Sequence, residues 1–387
     1  MEKIKNIEFL RVMGCFSIVA LHLFHSWEIN KSFPNIDIFN KLYVTTSKGE
    51  VAVDLFFILS GFFLLLTFDK NKTICGFLKA KIFRLYPVFI YMLILAFVFH
   101  FFGLLHFDLY NNILALFGFS GTGLAFDSGN IVSFWYVSSM LWGLLLYFYI
   151  LKYYDKKHIN LFAALVIFFS YTFMIHANNG IIRNHLVTYS NCFNSGLLRA
   201  LGGISIGYLI AYWYKNNIEN INKYIPSIKS MLFLTIVEFL CLFFIINNLM
   251  FHKIKFNNDF IFIIIFTLIV IIFLINKGFI SKILNNDIWV QIGKYTFSLY
   301  MTHSMVIRIF KYALWKTTHD FFAIHPILNI AIVLISVLLF GIFTYHFIEI
   351  PAKKYLTTKF CNVPQTHVAA ERERERVITL VNFLKIA

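Results

Sequence analysis

The sequence predicts an all-α protein, a polytopic membrane helical bundle of about ten transmembrane helices with both termini cytoplasmic. Three observations predict it. Hydrophobic residues make up 59% of the chain and charged residues only 14%, which excludes an ordinary soluble domain. Apolar runs long enough to cross a hydrocarbon core of about 30 Å recur from end to end. Lys and Arg collect at the ends of those runs, chiefly in alternate connections, so the net charge of +15 reads as topology and no nucleic-acid partner is expected.

The first run, at about 7–27, follows Lys3 and Lys5 and lacks a small-residue cleavage site behind it, so it reads as an uncleaved span. The second (50–68) and third (84–103) are joined by Lys70, Lys72, Lys79, Lys81 and Arg84. Residues 104–133 contain no Lys or Arg, as an outer connection should; they leave room for a short interfacial helix around Tyr110 to Phe119 and a turn at Gly121 to Gly123. Lys152, Lys156 and Lys157 separate the fourth (134–151) and fifth (160–177) runs, and Lys215, Lys223 and Lys229 the sixth (195–214) and seventh (231–249). Lys277 and Lys282 follow the eighth (259–276), the ninth (289–313) is the most polar, and Lys353, Lys354 and Lys359 follow the tenth (326–347). Outer connections carry fewer basic residues, among them Lys31, Lys41, Lys48 and Arg183. The membrane domain is thus 1–358. The remainder, 359–387, with its Glu–Arg alternation from Glu371 to Arg376, reads as a solvated cytoplasmic tail. The five cysteines have no paired or metal-like spacing, so neither a disulfide framework nor a metal site is expected.

Polar residues inside spans are costly and are functional candidates by default. Arg11 and His22 lie in the first run. Eleven residues at about 100° each bring them to within about 20° of one face, roughly 16 Å apart along the axis. Orientation then sorts the other polar groups by depth. Arg11, Lys81, Arg84, Lys294 and Glu349 form an inner level. His22, Asp54, Trp135, Arg199 and Arg308 form an outer level, with His303 near the middle of the ninth span. The inner cations suit a phosphate-rich donor arriving from the cytosol. Asp54 at the depth of His22 suggests a base–orienter pair, and Trp135 with Tyr136 suggests a platform for a sugar ring. Plainer readings stand beside these. Arg11 fits a snorkelling arginine, Asp54 a helix N-cap, Lys81 and Arg84 topology markers, and Glu349 a structural ion-pair partner of Arg84 or Arg11.

Seven motifs in order resemble the acyltransferase-3 family of membrane O-acyltransferases. They are Arg11 and His22 in an Arg-x10-His spacing; VDLFFILSGF at 53–62; KIFRLYP at 81–87; FWYVS at 134–138; Arg199 with Gly203 and Gly207; SLYMTH at 298–303; and FIEIPAK at 347–353. The resemblance implies a multi-pass protein of the bacterial inner membrane. It implies an acyl-CoA donor, usually acetyl-CoA, with no permanently bound cofactor. It implies an acceptor hydroxyl on a lipid-linked or surface glycan, such as lipopolysaccharide, capsule, exopolysaccharide or a peptidoglycan precursor. By the resemblance His22 is the catalytic base, and Arg11 with Arg84 and Lys81 the donor contacts. Asp54 then assists His22, while Trp135, Tyr136, Arg199 and His303 are candidates for the acceptor side. Backbone N–H groups near Ser60 and Gly61 are candidate oxyanion donors. The SGNH-hydrolase domain carried by some members has no counterpart, which implies direct action on the acceptor. A transporter or flippase of a glycan or lipid intermediate is the alternative reading, since buried charges in a polytopic chain fit both.

Overall fold

The computed structural model describes residues 4–26, 49–105, 107–120, 122, 133–182, 188–189, 193–224, 226–250, 259–317 and 326–360. The charged tail beyond Phe360, Gly121 and Gly123 of the expected turn, and the outer basic residues Lys31, Lys41, Lys48 and Arg183 lie outside them.

Helices stand at all ten expected positions: α1 (Lys5–Ser26), α2 (Ala52–Leu66, entered by a 3-10 turn at Gly49–Val51), α3 (Ile74–Phe101), the short α4 (Leu109–Leu116), α5 (Phe134–Tyr153), α6 (Lys156–Ala177), α7 (Ser195–Lys223), α8 (Ile228–Met250), α9 (Phe260–Ile275), the short α10 (Phe279–Leu284) and α11 (Asp287–Gly293), α12 (Thr296–Thr317), and α13 (Pro326–Thr344) continuing into α14 (Ile350–Phe360). Eight of the helices among the described residues are long and apolar enough to cross a membrane. The remaining two of the ten explain themselves. Helix α9 has 16 residues, about 24 Å, somewhat short of a hydrocarbon core. Helix α12 carries Arg308, Lys311 and Lys316. A two-residue antiparallel pair, Thr188–Tyr189 with Phe193–Asn194, leads into α7, whose first turn is capped by the Asn194 side chain accepting from the Gly196 N–H at 2.7 Å.

Two shifted boundaries move residues that the sequence singles out. Helix α3 begins ten residues early because Thr73 caps it, its hydroxyl accepting from the Gly76 N–H at 3.0 Å. Lys81 and Arg84 therefore lie within a helix, less than two turns and less than one turn before Pro87. The tenth helix does not stop at Glu349. A π-helical turn at Tyr345–Glu349 carries it on, with the Ile350 N–H reaching back to the Tyr345 carbonyl. The wider turn accommodates Pro351, which has no N–H to give. Glu238, within α8, is fully buried. Its Oε2 accepts from the Ile280 and Ser281 N–H groups at 3.0 and 3.2 Å, holding the start of α10.

The centre of the bundle is the contact of α2 with α7. Glycines bring the two backbones together. A Cβ at Gly207 would collide with the Ile58 carbonyl, one at Gly203 with the Phe57 side chain, and one at Gly61 with the Ile204 carbonyl. Small residues four apart on a helix face allow this approach in membranes. The same interface encloses Arg199, which is 0% exposed. Its Nε and Nη2 donate to the two carboxylate oxygens of Asp54 at 3.1 and 2.8 Å. Its Nη2 also donates to the Glu50 carbonyl at 3.0 Å, and Nη1 to Glu50 Oε1 at 3.4 Å. A guanidinium fork on a carboxylate is the strong geometry for such a pair.

Two outcomes follow from that interface. Gly207→Val should sharply lower folded yield and thermal stability in detergent, because the obstructing atom is backbone and cannot turn away. Arg199→Met should destabilise by about 3–5 kcal/mol by stranding Asp54, and Arg199→Met with Asp54→Leu should recover much of that loss. Thermal unfolding of the three variants, by size-exclusion profile after heating, checks both.

Candidate active site

Helix α1 carries a polar line through the bundle. At one end Arg11 Nη1 donates to both Glu8 carboxylate oxygens, at 2.9 and 2.8 Å, and Nη2 donates to Thr296 Oγ1 at 3.0 Å. Glu8 is 4% exposed. Sequence reasoning passed it over, although its place three residues before Arg11 is the helical spacing of an ion pair. One turn on, the Cys15 thiol faces the Thr296 carbonyl at 3.5 Å.

Arg84 differs from Arg11. It is exposed, and among the described residues it forms no hydrogen bond or ion pair. The charges of Arg11, Glu349 and Glu8 act on it, so it belongs to the same level of the bundle. Lys81, about one turn earlier, lies with its Nζ 5.3 Å from the centre of the Phe77 ring. The expected ion pair of Glu349 with Arg84 or Arg11 is not made. The π-helical turn aims Glu349 at α12, where its Oε2 accepts from Ser298 Oγ at 2.6 Å.

At the other end of the line His22 is half-buried and its ring lies 5.0 Å from that of His303, inclined at 44°. His303 therefore shares the level of His22. Arg11 with Thr296 and His22 with His303 show that α1 and α12 run side by side in the same direction. Between the two ends stands an aromatic group. Tyr300 lies 5.7 Å from His303, 5.1 Å from Tyr136 and 6.2 Å from Phe56 by ring centres. Ser133 fixes this stretch of α12 by donating to the Tyr300 carbonyl at 2.9 Å.

Two expected arrangements are not formed. Asp54 does not orient His22; among the described residues its carboxylate bonds only to Arg199. It is not an N-cap either, since it sits in the first turn of α2, after Val51. Depth alone placed Asp54 and His22 together, and the helix face of Asp54 turns it towards α7. Trp135 and Tyr136 do not form an open platform. Both are buried, and the Trp135 ring is covered by the Arg199 guanidinium 5.2 Å from its centre. Arg199 itself is enclosed within the bundle. Ser60 and Gly61 lie mid-helix in α2, where backbone N–H groups are already used by the helix. Ser60 Oγ faces the Met140 sulfur at 3.4 Å.

What remains for chemistry is a row of polar and aromatic groups between an exposed arginine and a half-buried imidazole. Arg84 and Lys81 can grip an anion. His22 can take a proton. Arg11, Thr296, Cys15, Tyr136 and Tyr300 lie between.

Searches of curated proteins and of solved structures returned no match. The sequence profile of the acyltransferase-3 family, described as an acyltransferase domain, matches residues 4–346, which takes in α1 to α13 and the first residues of the π-helical turn. The chain is a multi-pass membrane acyltransferase and belongs to the acyltransferase-3 family.

Proposed function

We propose that this acyltransferase moves an acetyl group from acetyl-CoA on the cytoplasmic side to a hydroxyl of an extracytoplasmic or lipid-linked glycan. The observation that carries this reading is the separation of an unpaired, exposed arginine from a half-buried histidine along one continuous polar line. Arg84 and Lys81 hold the donor's diphosphate, for which a guanidinium fork is well suited. Arg11, clamped by Glu8 and Thr296, is a fixed positive charge beside the path of the thioester arm. His22 removes the proton from the acceptor hydroxyl as its oxygen attacks the thioester carbonyl. The tetrahedral oxyanion lies in the field of Arg11 and Arg84, with the Tyr136 hydroxyl, on which the same two charges act, as its donor. Collapse of the intermediate expels the CoA thiolate, which takes the proton from His22.

Both termini lie on the donor side in this reading. In a chain keeping Cys75 as its only cysteine, exposed at the start of α3, a membrane-impermeant maleimide should label inverted vesicles and spare intact cells. Labelling of intact cells would reverse the orientation.

Inverted vesicles supplied with radiolabelled acetyl-CoA test the reaction. Wild type should pass label to glycan, and His22→Ala should abolish transfer at normal expression. Full transfer by His22→Ala would remove the base. Arg84→Gln should raise the KM for acetyl-CoA by roughly tenfold or more with a smaller change in kcat, as the loss of a charge-assisted contact to the donor requires.

A further inference from the structure

Glu349 is a carboxylate with one oxygen in use. It is 6% exposed, and the charges of Arg84, Lys353 and Arg11 act on it. Among the described residues it pairs with none of these cations, and its hydrogen bond is the one that Oε2 accepts from Ser298 Oγ at 2.6 Å. Oε1 makes none there and, unlike Glu238 Oε1, is not wholly enclosed. A carboxylate offers several acceptor sites, and one this deep with a single bond calls for an explanation. The backbone gives a second sign. Glu349 closes the π-helical turn Tyr345–Glu349, and such turns inside an α-helix are frequent at functional sites.

Position along the bundle narrows the ligand. Ser298 lies two residues past Thr296, the partner of Arg11, and five before His303, whose ring faces His22. At about 1.5 Å per residue, its level is roughly 3 Å beyond the arginine and 7–8 Å short of the imidazoles. A donor with phosphates at Arg84 and a thioester carbonyl at His22 must lay its arm past this point. In an acyl-CoA that arm carries the N–H groups of two amides, the nearer one only two carbons from the sulfur. An uncharged N–H needs an acceptor, which Glu349 Oε1 supplies and the surrounding cations do not.

We propose that Glu349 is a specificity-determining residue for the donor's arm. Its Oε1 accepts the N–H of the amide nearest the thioester and so sets where the carbonyl stops on the way to His22. The inference rests on the acetyl-CoA reading and deepens it, because it assigns the arm to a residue that neither grips phosphate nor moves a proton. Ser298 holds the other oxygen and keeps the carboxylate turned across to α12. A phosphate at this level would meet a negative charge, so Glu349 also keeps the donor's anionic end back at Arg84 and Lys81.

The test uses inverted vesicles, the endogenous membrane glycan as acceptor and two radiolabelled donors. One is acetyl-CoA; the other is its analogue in which oxygen replaces that amide N–H, with every phosphate and the thioester kept. Wild type should prefer acetyl-CoA by about 100-fold or more in kcat/KM, since a site built to bond an N–H rejects the analogue lacking it. Glu349→Gln keeps the shape and an oxygen for Ser298 but offers an N–H to the analogue, so its preference should fall below about tenfold. Arg84→Gln should retain the full preference, because it acts on phosphates that both donors share. Equal use of the two donors by wild type, a comparison that needs no variant to fold, overturns this inference alone. An unchanged preference in Glu349→Gln does the same. No transfer by wild type from acetyl-CoA removes the acetyl-transfer reading and this inference with it.

Discussion

The structure depends on a fully enclosed arginine. A charged side chain at the centre of a membrane helix costs about 2.5–3.5 kcal/mol on insertion scales, and Arg199 offsets that cost by meeting the Asp54 carboxylate with two nitrogens and by donating to Glu50. Those bonds need α2 and α7 almost backbone to backbone, which Gly61, Gly203 and Gly207 allow. The pair and the glycines therefore act together. The same guanidinium covers Trp135 and so ties the start of α5 to the interface. Phe56 and Phe57 of α2 then meet Tyr136, and Phe56 also meets Tyr300. Helix α12 is thereby placed against the core, and with it the histidine that faces His22.

Around that frame the charges divide by role. Arg199 and Asp54 neutralise each other out of reach of any ligand. Arg11 is tethered at both ends of its guanidinium, so its charge is fixed in place. Arg84 alone among these arginines is exposed and uncommitted. An arginine with all its donors used is a structural cation, whereas one with none used awaits an anion. That distinction separates Arg11, Arg84 and Arg199, which hydropathy alone does not tell apart.

Much of this was legible from the chain. The positions of the helices follow from apolar run length, and the shared face of Arg11 and His22 follows from their spacing. What failed was azimuth. Depth put Asp54 beside His22, but depth does not say which neighbour a helix face meets, and Asp54 faces α7. The sequence puts His303 half a level away because the ninth helix starts at Thr296, after a break at Lys294 and Tyr295, and not at 289. Glu8 was within reach of a simple rule of helical spacing. The π-helical turn before Pro351 had no signal in hydropathy, since it widens a helix without changing its composition.

The most direct test of the whole account is the mass of the surface glycans made by cells with and without this chain. The account predicts that glycans from cells lacking it reach the surface in normal amount and are lighter by one acetyl group per modified unit. Glycans of unchanged mass that fail to reach the surface would contradict it, because that outcome describes a transporter.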